Sequence, residues 1–292
     1  ECSDGGYIVG GEFGGALYFK NGVSLSNLGG SDIMILKYNK NGEIEWAQGI
    51  GGTNTDGIKS VVECSDGGYI VVGDFYSEIV NLGNGIRIRN NNSSNTTDGM
   101  VIKYNSSGVP QWAKVIGGER GDYIKSVEET KDGGYIAAGS FQSSSVNLSY
   151  GVSLTNTSTV ESNVYPEDGM IIKYSKDGVT QWAKGIECSK DAHISKMIET
   201  SDGGFVVCGY WGWGGSSYLH VGDIWINNKD SQYYDSYIAK YDSDGQVKWA
   251  KGIGGTNSDL VRSVAETSDG DYIVVGDFSS ESIDLGNNII VT

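Results

Sequence analysis

The chain reads as all-β, a β-propeller built of four-stranded repeats of about 67 residues. Three observations carry this. The string ECSDGGYIVVGDF, from Glu63 to Phe75, recurs as ECSDGGYIVGGEF from Glu1, ETKDGGYIAAGSF from Glu129, ETSDGGFVVCGYW from Glu199 and ETSDGDYIVVGDF from Glu266. The first aspartates of these copies, Asp4, Asp66, Asp132, Asp202 and Asp269, lie 62, 66, 70 and 67 residues apart. The composition is that of short strands between turns, with 45 Gly and only 2 Pro in 292 residues, and helix-type periodicity is nearly absent.

The elements follow in order within each repeat, and the second repeat is the type case. A first strand is expected at Ile58–Glu63, a polar SDGG turn whose Asp-Gly supplies left-handed backbone positions, and a second strand at Gly68–Phe75. A third strand is expected at Met100–Tyr104 and a fourth at Val109–Ile116. Third strands recur as DIMILKY, DGMVIKY, DGMIIKY and DSYIAKY, and fourth strands as IEWAQGI, PQWAKVI, TQWAKGI and VKWAKGI. Side chains alternate along a strand, so Trp46, Trp112, Trp182 and Trp249 share one face and Ala47, Ala113, Ala183 and Ala250 the other. Between second and third strands an insertion carries another alternating pair, as in VNLGNGIRIRN (Val80–Asn90), expected to project as a small hairpin. Insertions at one place in a repeat gather on one face, often the binding face. The segments Asn90–Thr97 and Asn156–Pro166 read as polar loops beyond it.

Residues 1–292 thus form one repeat array, with repeats at about 1–62, 63–128, 129–198 and 199–265 and a fifth begun at 266–292. Five second strands stand against four third and four fourth strands. A segment of a larger ring is the preferred reading, and a four-bladed ring with a C-terminal overhang the alternative.

The run DGMVIKYNSSGVPQWAKVIGGERGDYIKSVEETKDGGYIAAGSF resembles the SBBP-type β-propeller repeat of bacterial secreted and surface proteins. The points of likeness are Asp before an apolar strand ending in Lys, a Trp-Ala strand, a GG-x-x-x-D loop and a D-G-x-x-Y-x-x-G hairpin, and they extend over essentially the whole chain. The resemblance implies an exported propeller, extracellular or at the cell surface, and implies no reaction.

Net charge is −16, spread along the chain, which disfavours nucleic acid and anionic membranes as partners. No apolar run has the length of a membrane span. Residue 1 already stands inside a repeat, so a signal peptide is not expected to be visible, and both ends read as cut, with edges open to self-association. The four cysteines read as buried thiols: Cys2 and Cys64 share a slot with Thr130, Thr200 and Thr267, Cys208 stands in a strand and Cys188 in a loop.

Two readings attach to the aspartate ending the GG-x-x-x-D loop, Asp56, Asp122 and Asp259, with Asp191 after the degenerate GIECSKD. These carboxylates either ring a channel mouth and hold Ca²⁺, or accept hydrogen bonds from their own loops. Asp32, Asp98, Asp168 and Asp235 and the lysines five residues later face opposite ways on a strand, so pairing between neighbouring sheets is expected for them. No cofactor is indicated. His193 and His220 stand in no metal or nucleophile pattern.

Departure from the repeat is the better pointer, and the fourth repeat departs most. Trp213 stands in the slot of Ser77, and Trp225 where other hairpins have Ser24, Arg87 and Ser153. With Tyr218, His220, Asp223, Tyr233 and Tyr234 they are expected to make an exposed aromatic and polar patch suited to a glycan or protein ligand. The opposing reading folds the tryptophans back over a longer loop. The expected function is a non-catalytic binding module. The alternatives are a structural component of a surface assembly and a polysaccharide-acting enzyme using channel-mouth carboxylates.

Overall fold

The computed structural model describes residues 1–20, 22–92, 96–157, 165–214, 217–229, 232–285 and 289–292. The polar segments 90–97 and 156–166 therefore lie partly outside the described residues. All regular structure among them is β, arranged in small antiparallel sheets. The chain divides into two compact units, Glu1–Ala137 with Tyr174–Val179, and Ala138–Lys173 with Thr180–Thr292.

In the first unit, the second repeat supplies strands Asp56–Glu63, Tyr69–Phe75, Asp98–Tyr104 and Pro110–Ile116, hydrogen-bonded in that order. Each begins within two residues of its expected start. Beside it stands a sheet of Tyr7–Phe13, Asp32–Tyr38 and Ile44–Ile50. The apolar alternation decides how they pack. Ile33, Ile35 and Ile50 of one sheet bury against Tyr69, Val71, Met100 and Ile102 of the other, with Trp46 on the same core. Ala47, one residue on, packs on the opposite face with Phe13, Leu25 and Leu36. Trp46 meets Tyr69 edge-on at 5.5 Å and donates its indole N–H to Ser106 O at 3.1 Å. Its ring lies across Gly108, whose φ of 73° and lack of a Cβ are both needed there.

In the second unit, Asp191–Glu199, Phe205–Gly212, Tyr234–Tyr241 and Val247–Ile253 form the four-stranded sheet of the fourth repeat. Strands Asp259–Glu266 and Tyr272–Phe278 pack on it through Val206, Cys208, Ile238, Val261 and Val264. In both units a serine of the SDGG turn is clasped by the glutamate that ends the following repeat's first strand. Ser3, Ser65 and Ser201 donate backbone N–H to Glu63, Glu129 and Glu266, each at 2.6 Å.

Several expectations are corrected. In the SDGG turn only the glycine is left-handed, Gly67 at φ 75°; Asp66 instead accepts the Gly68 N–H at 2.8 Å. The lysines pair within their own sheets: Lys37, Lys103 and Lys240 reach Asp4, Asp66 and Asp202 at 2.7, 2.8 and 2.7 Å. Burial alone would lower the Lys37 pKa, but hydrogen bonds to Asp4 and Glu45 outweigh it and hold the ammonium above the ordinary lysine value. Cys188 closes strand Thr180–Cys188 rather than lying in a loop, and all four cysteines are buried thiols outside any disulfide. The inserted hairpins form, but one face of each is buried: Val80, Leu82 and Ile88 join the core of the first unit, and Leu219 and Val221 are covered in the second. Behind three of the hairpins an asparagine ties the second strand to the approach to the third, as Asn90 does by donating to Phe75 O and Thr96 O at 3.3 and 2.7 Å; Asn27 and Asn156 do the same.

The third-strand aspartate Asp98 is buried. It accepts the Asn91 N–H at 2.7 Å through one oxygen and has no partner for the other. Burial pushes its pKa up to about 6. A raised folded-state pKa means the fold favours the protonated acid, so this contribution is full below the unfolded value and is lost as pH rises through 6. Between pH 4 and 7 it amounts to roughly 2 to 3 kcal/mol. A carboxyl ¹³C titration of Asp98 is expected to show a midpoint near 6, and Asp98→Asn to flatten this part of the stability profile; a midpoint near 4 would contradict the assignment.

Candidate functional site

In the GG-x-x-x-D loops the aspartates act as staples. Asp56 is buried and accepts four hydrogen bonds, from Gly52 N–H at 2.9 Å and Ser77 Oγ at 2.7 Å on one oxygen, and from Tyr76 and Ser77 N–H at 3.1 Å each on the other. Asp259 repeats this with Gly255 and Ser280 at 2.8 and 2.7 Å, and Asp122 accepts Gly118 N–H at 2.8 Å. Burial raises the Asp56 pKa, against the pull of its donors. Among the described residues no group of three or more His, Cys, Asp or Glu side chains is placed to hold a metal ion. The hydrogen bonds of Asp56, Asp122 and Asp259 are those that the loop-staple reading expects.

Asp191 is different, and here the expected alignment shifts by one residue. Asp56 donates its N–H to Ser31 O and pairs with Phe75; in the fourth repeat it is Ala192 that donates to Glu167 O and pairs with Trp211. Ile186 to Ala192 is as long as Ile50 to Asp56, so Asp191 stands in the slot of Thr55. With both staple partners gone, since Trp213 fills the Ser77 slot, the strand Thr180–Cys188 runs on and pairs with the hairpin, Glu187 opposite His220 and Cys188 opposite Leu219. Backbone pairing replaces the carboxylate staple.

Asp191 joins a cluster of non-repeat residues. Its Oδ1 accepts the Glu167 N–H at 3.1 Å, and burial raises its pKa, with the Glu167 charge adding to the shift. Glu167 accepts from Ser140 Oγ at 2.5 Å and Gln142 Nε2 at 3.2 Å. His193 Nδ1 lies 3.1 Å from Glu167 Oε2 but off the line that a hydrogen bond needs. Against His193 packs Tyr210 at 4.7 Å, and Tyr210 meets Tyr234 edge-on at 5.2 Å. Burial pushes the Tyr234 phenol up to about 12. On Tyr234 stacks Trp213, at 5.3 Å and 25°. Trp213 is 53% exposed at φ 85°, a backbone position that bulky side chains rarely take.

The second aromatic group sits on the hairpin Tyr218–Val221 and Ile224–Asn227. Trp225 is 60% exposed and lies flat on His220, 4.1 Å between rings at 18°. Tyr218 closes on the same indole at 4.8 Å. The far side of His220 is anchored by Glu187, Oε2 to Nδ1 3.0 Å. Leu219 and Val221 point the other way and are buried, which fixes the face that the aromatics show.

The expected patch is therefore two groups. Trp225, Tyr218 and His220 form one, and Trp213 with Tyr234 belongs to the other. Asp223 turns the hairpin and, with Lys184 and Gln246, lines a shallow recess. Tyr233 is half-buried, its carbonyl accepting from Asn228 at 2.9 Å. Trp211 is buried, as its match to Phe75 implies. Glu167 and Tyr210 were missed, and His193 was passed over as a solitary histidine. Their signal was available, because each breaks its slot: Glu167 where Ser31 and Thr97 stand, Tyr210 where Asp74 and Ser140 stand.

No protein-family model matches the chain. Over 94 residues it is 32% identical to the regulatory protein FlaEY of Caulobacter vibrioides, a match covering 32% of this chain and 10% of that protein. The chain thus spans about a tenth of the length of this curated relative. Among solved structures it is similar to a protein of unknown function from Bacteroides caccae, with 12% identity, a TM-score of 0.46, and coverage of 89% of this chain and 68% of the other.

Proposed function

We propose that the chain is part of an SBBP-like β-propeller, extracellular or at the cell surface, and that the fourth-repeat hairpin binds a glycan without turning it over. The observation that supports this best is Trp225, an indole 60% exposed whose inner face is already supported by His220. An apolar ring held rigid and open to solvent stacks on the C–H face of a pyranose at little entropic cost. Glu187 stands at the same level of the ribbon, across His220 from Trp225, and Asn227 two residues along, opposite Tyr218. Screening an array of uncharged glycans with the purified chain tests the reading: binding is expected, and Trp225→Ser is expected to remove it with the thermal transition unmoved. Binding of an uncharged glycan that survives Trp225→Ser would overturn it. A second reading is association between copies, favoured by strand Tyr272–Phe278, whose Ile273 and Val275 are more than half exposed.

A further inference from the structure

The cluster of Asp191, Glu167, His193, Tyr210, Tyr234 and Trp213 has no counterpart in the other repeats. Glu167 stands in the slot of Ser31 and Thr97, Tyr210 in that of Asp74 and Trp213 in that of Ser77. Asp191, in the slot of Thr55, accepts the Glu167 N–H on Oδ1. The tyrosines contact each other, His193 and Trp213. Of the cations nearby, Arg262 is held by Asp277 at 2.8 Å, and Lys190 and His193 act on Asp191 by charge. Two carboxylates backed by aromatic faces, in a chain of net charge −16, attract an organic cation and repel an acid. The carboxylates accept charge-assisted hydrogen bonds, and the rings present their negative faces.

We infer that this cluster is a second binding site, for the protonated amine of an amino sugar, with Asp191 and Glu167 receiving the ammonium and Trp213 stacking on the ring that carries it. The inference takes from the preceding section only the class of ligand. An ammonium on a flexible lysine would satisfy the carboxylates, but it would leave uncovered the face of Trp213 that Tyr234 does not stack on. A pyranose bearing an amine engages both. Acidic sugars are excluded by the same charges.

The test uses the whole chain, titrated by calorimetry with a glucosamine oligomer and with its N-acetylated counterpart, which carries no charge. The free-amine oligomer is expected to bind tighter by about tenfold or more. Asp191→Asn should abolish this preference, and Trp213→Gly should weaken binding of the amine while preserving or raising thermal stability, because glycine accepts φ 85° without strain. Trp225→Ser should leave the preference in place. Equal affinity for the two oligomers would overturn the inference and leave the glycan reading standing; no binding of any sugar would overturn both. A lysine-rich peptide that binds as well as the amino sugar, with the same loss in Asp191→Asn, would overturn the choice of ligand.

Discussion

Gly73→Ala is expected to destabilise the first unit by about 4 kcal/mol or more, seen as a large drop in the denaturant midpoint. The reason is a bulge in the neighbouring strand. Between Ile58 and Ser60 the pairing slips by one residue, and this aims the Gly57 carbonyl at Gly73. A Cβ on Gly73 would sit 2.1 Å from that oxygen, with Ile58 Cα at 3.0 Å. Both obstacles are backbone, so relief requires undoing the bulge. Gly209 and Gly276 face the same arrangement, with His193 O at 1.9 Å and Leu260 O at 2.3 Å. Gly11 holds the matching slot in the first repeat but meets only the mobile end of Met34, at 2.7 Å, so Gly11→Ala should cost no more than about 1 kcal/mol. Equal losses at Gly73 and Gly11 would show that intrinsic strand preference, not the bulge, selects glycine there.

Asp56→Ala is the second large effect, about 4 kcal/mol. It strands three donors in a buried loop, two of them backbone N–H groups, while Tyr76 N–H keeps Thr55 O. Asp56→Asn should lose less, since one acceptor oxygen remains. Ala192 shows what the loss demands in return: the fourth repeat lacks the aspartate only where the preceding strand extends and pairs with a hairpin. An Asp56→Ala chain with an unchanged midpoint would remove the staple from the account of stability.

The strands, their order within a repeat and their faces were legible because each repeats at one spacing, and alternation alone separates Trp46 from Ala47. The buried side of the inserted hairpins was half legible: VNLGNGIRIRN alternates, but only packing tells whether its apolar side has a sheet to lie on. Lysine partners were misread because face alternation says where a side chain leaves the strand and not how far it reaches. Lys37 passes the end of its strand to reach Asp4 in the turn, donating to Tyr38 O at 3.0 Å on the way. Asp191 was misaligned because identity matched aspartate to aspartate, whereas backbone pairing equates Asp56 with Ala192. Exposure of Trp225 was legible from its slot; that of Trp213 was not, because Ser77, whose slot it takes, is buried against Asp56. Their separation into two groups was not legible either, because it depends on which neighbouring aromatic each ring meets.

The serine–glutamate clasp recurs with the same donor, acceptor and 2.6 Å length wherever Ser3, Ser65 and Ser201 stand. The third turn has Lys131 in place of the serine. A gene segment duplicated or deleted in whole multiples of the repeat between serine-bearing turns therefore arrives with both halves of its connection, and arrays of this sequence can change length in one genetic step. The fourth repeat keeps this coupling while altering its loops, so it can be copied or moved together with the two aromatic groups it carries.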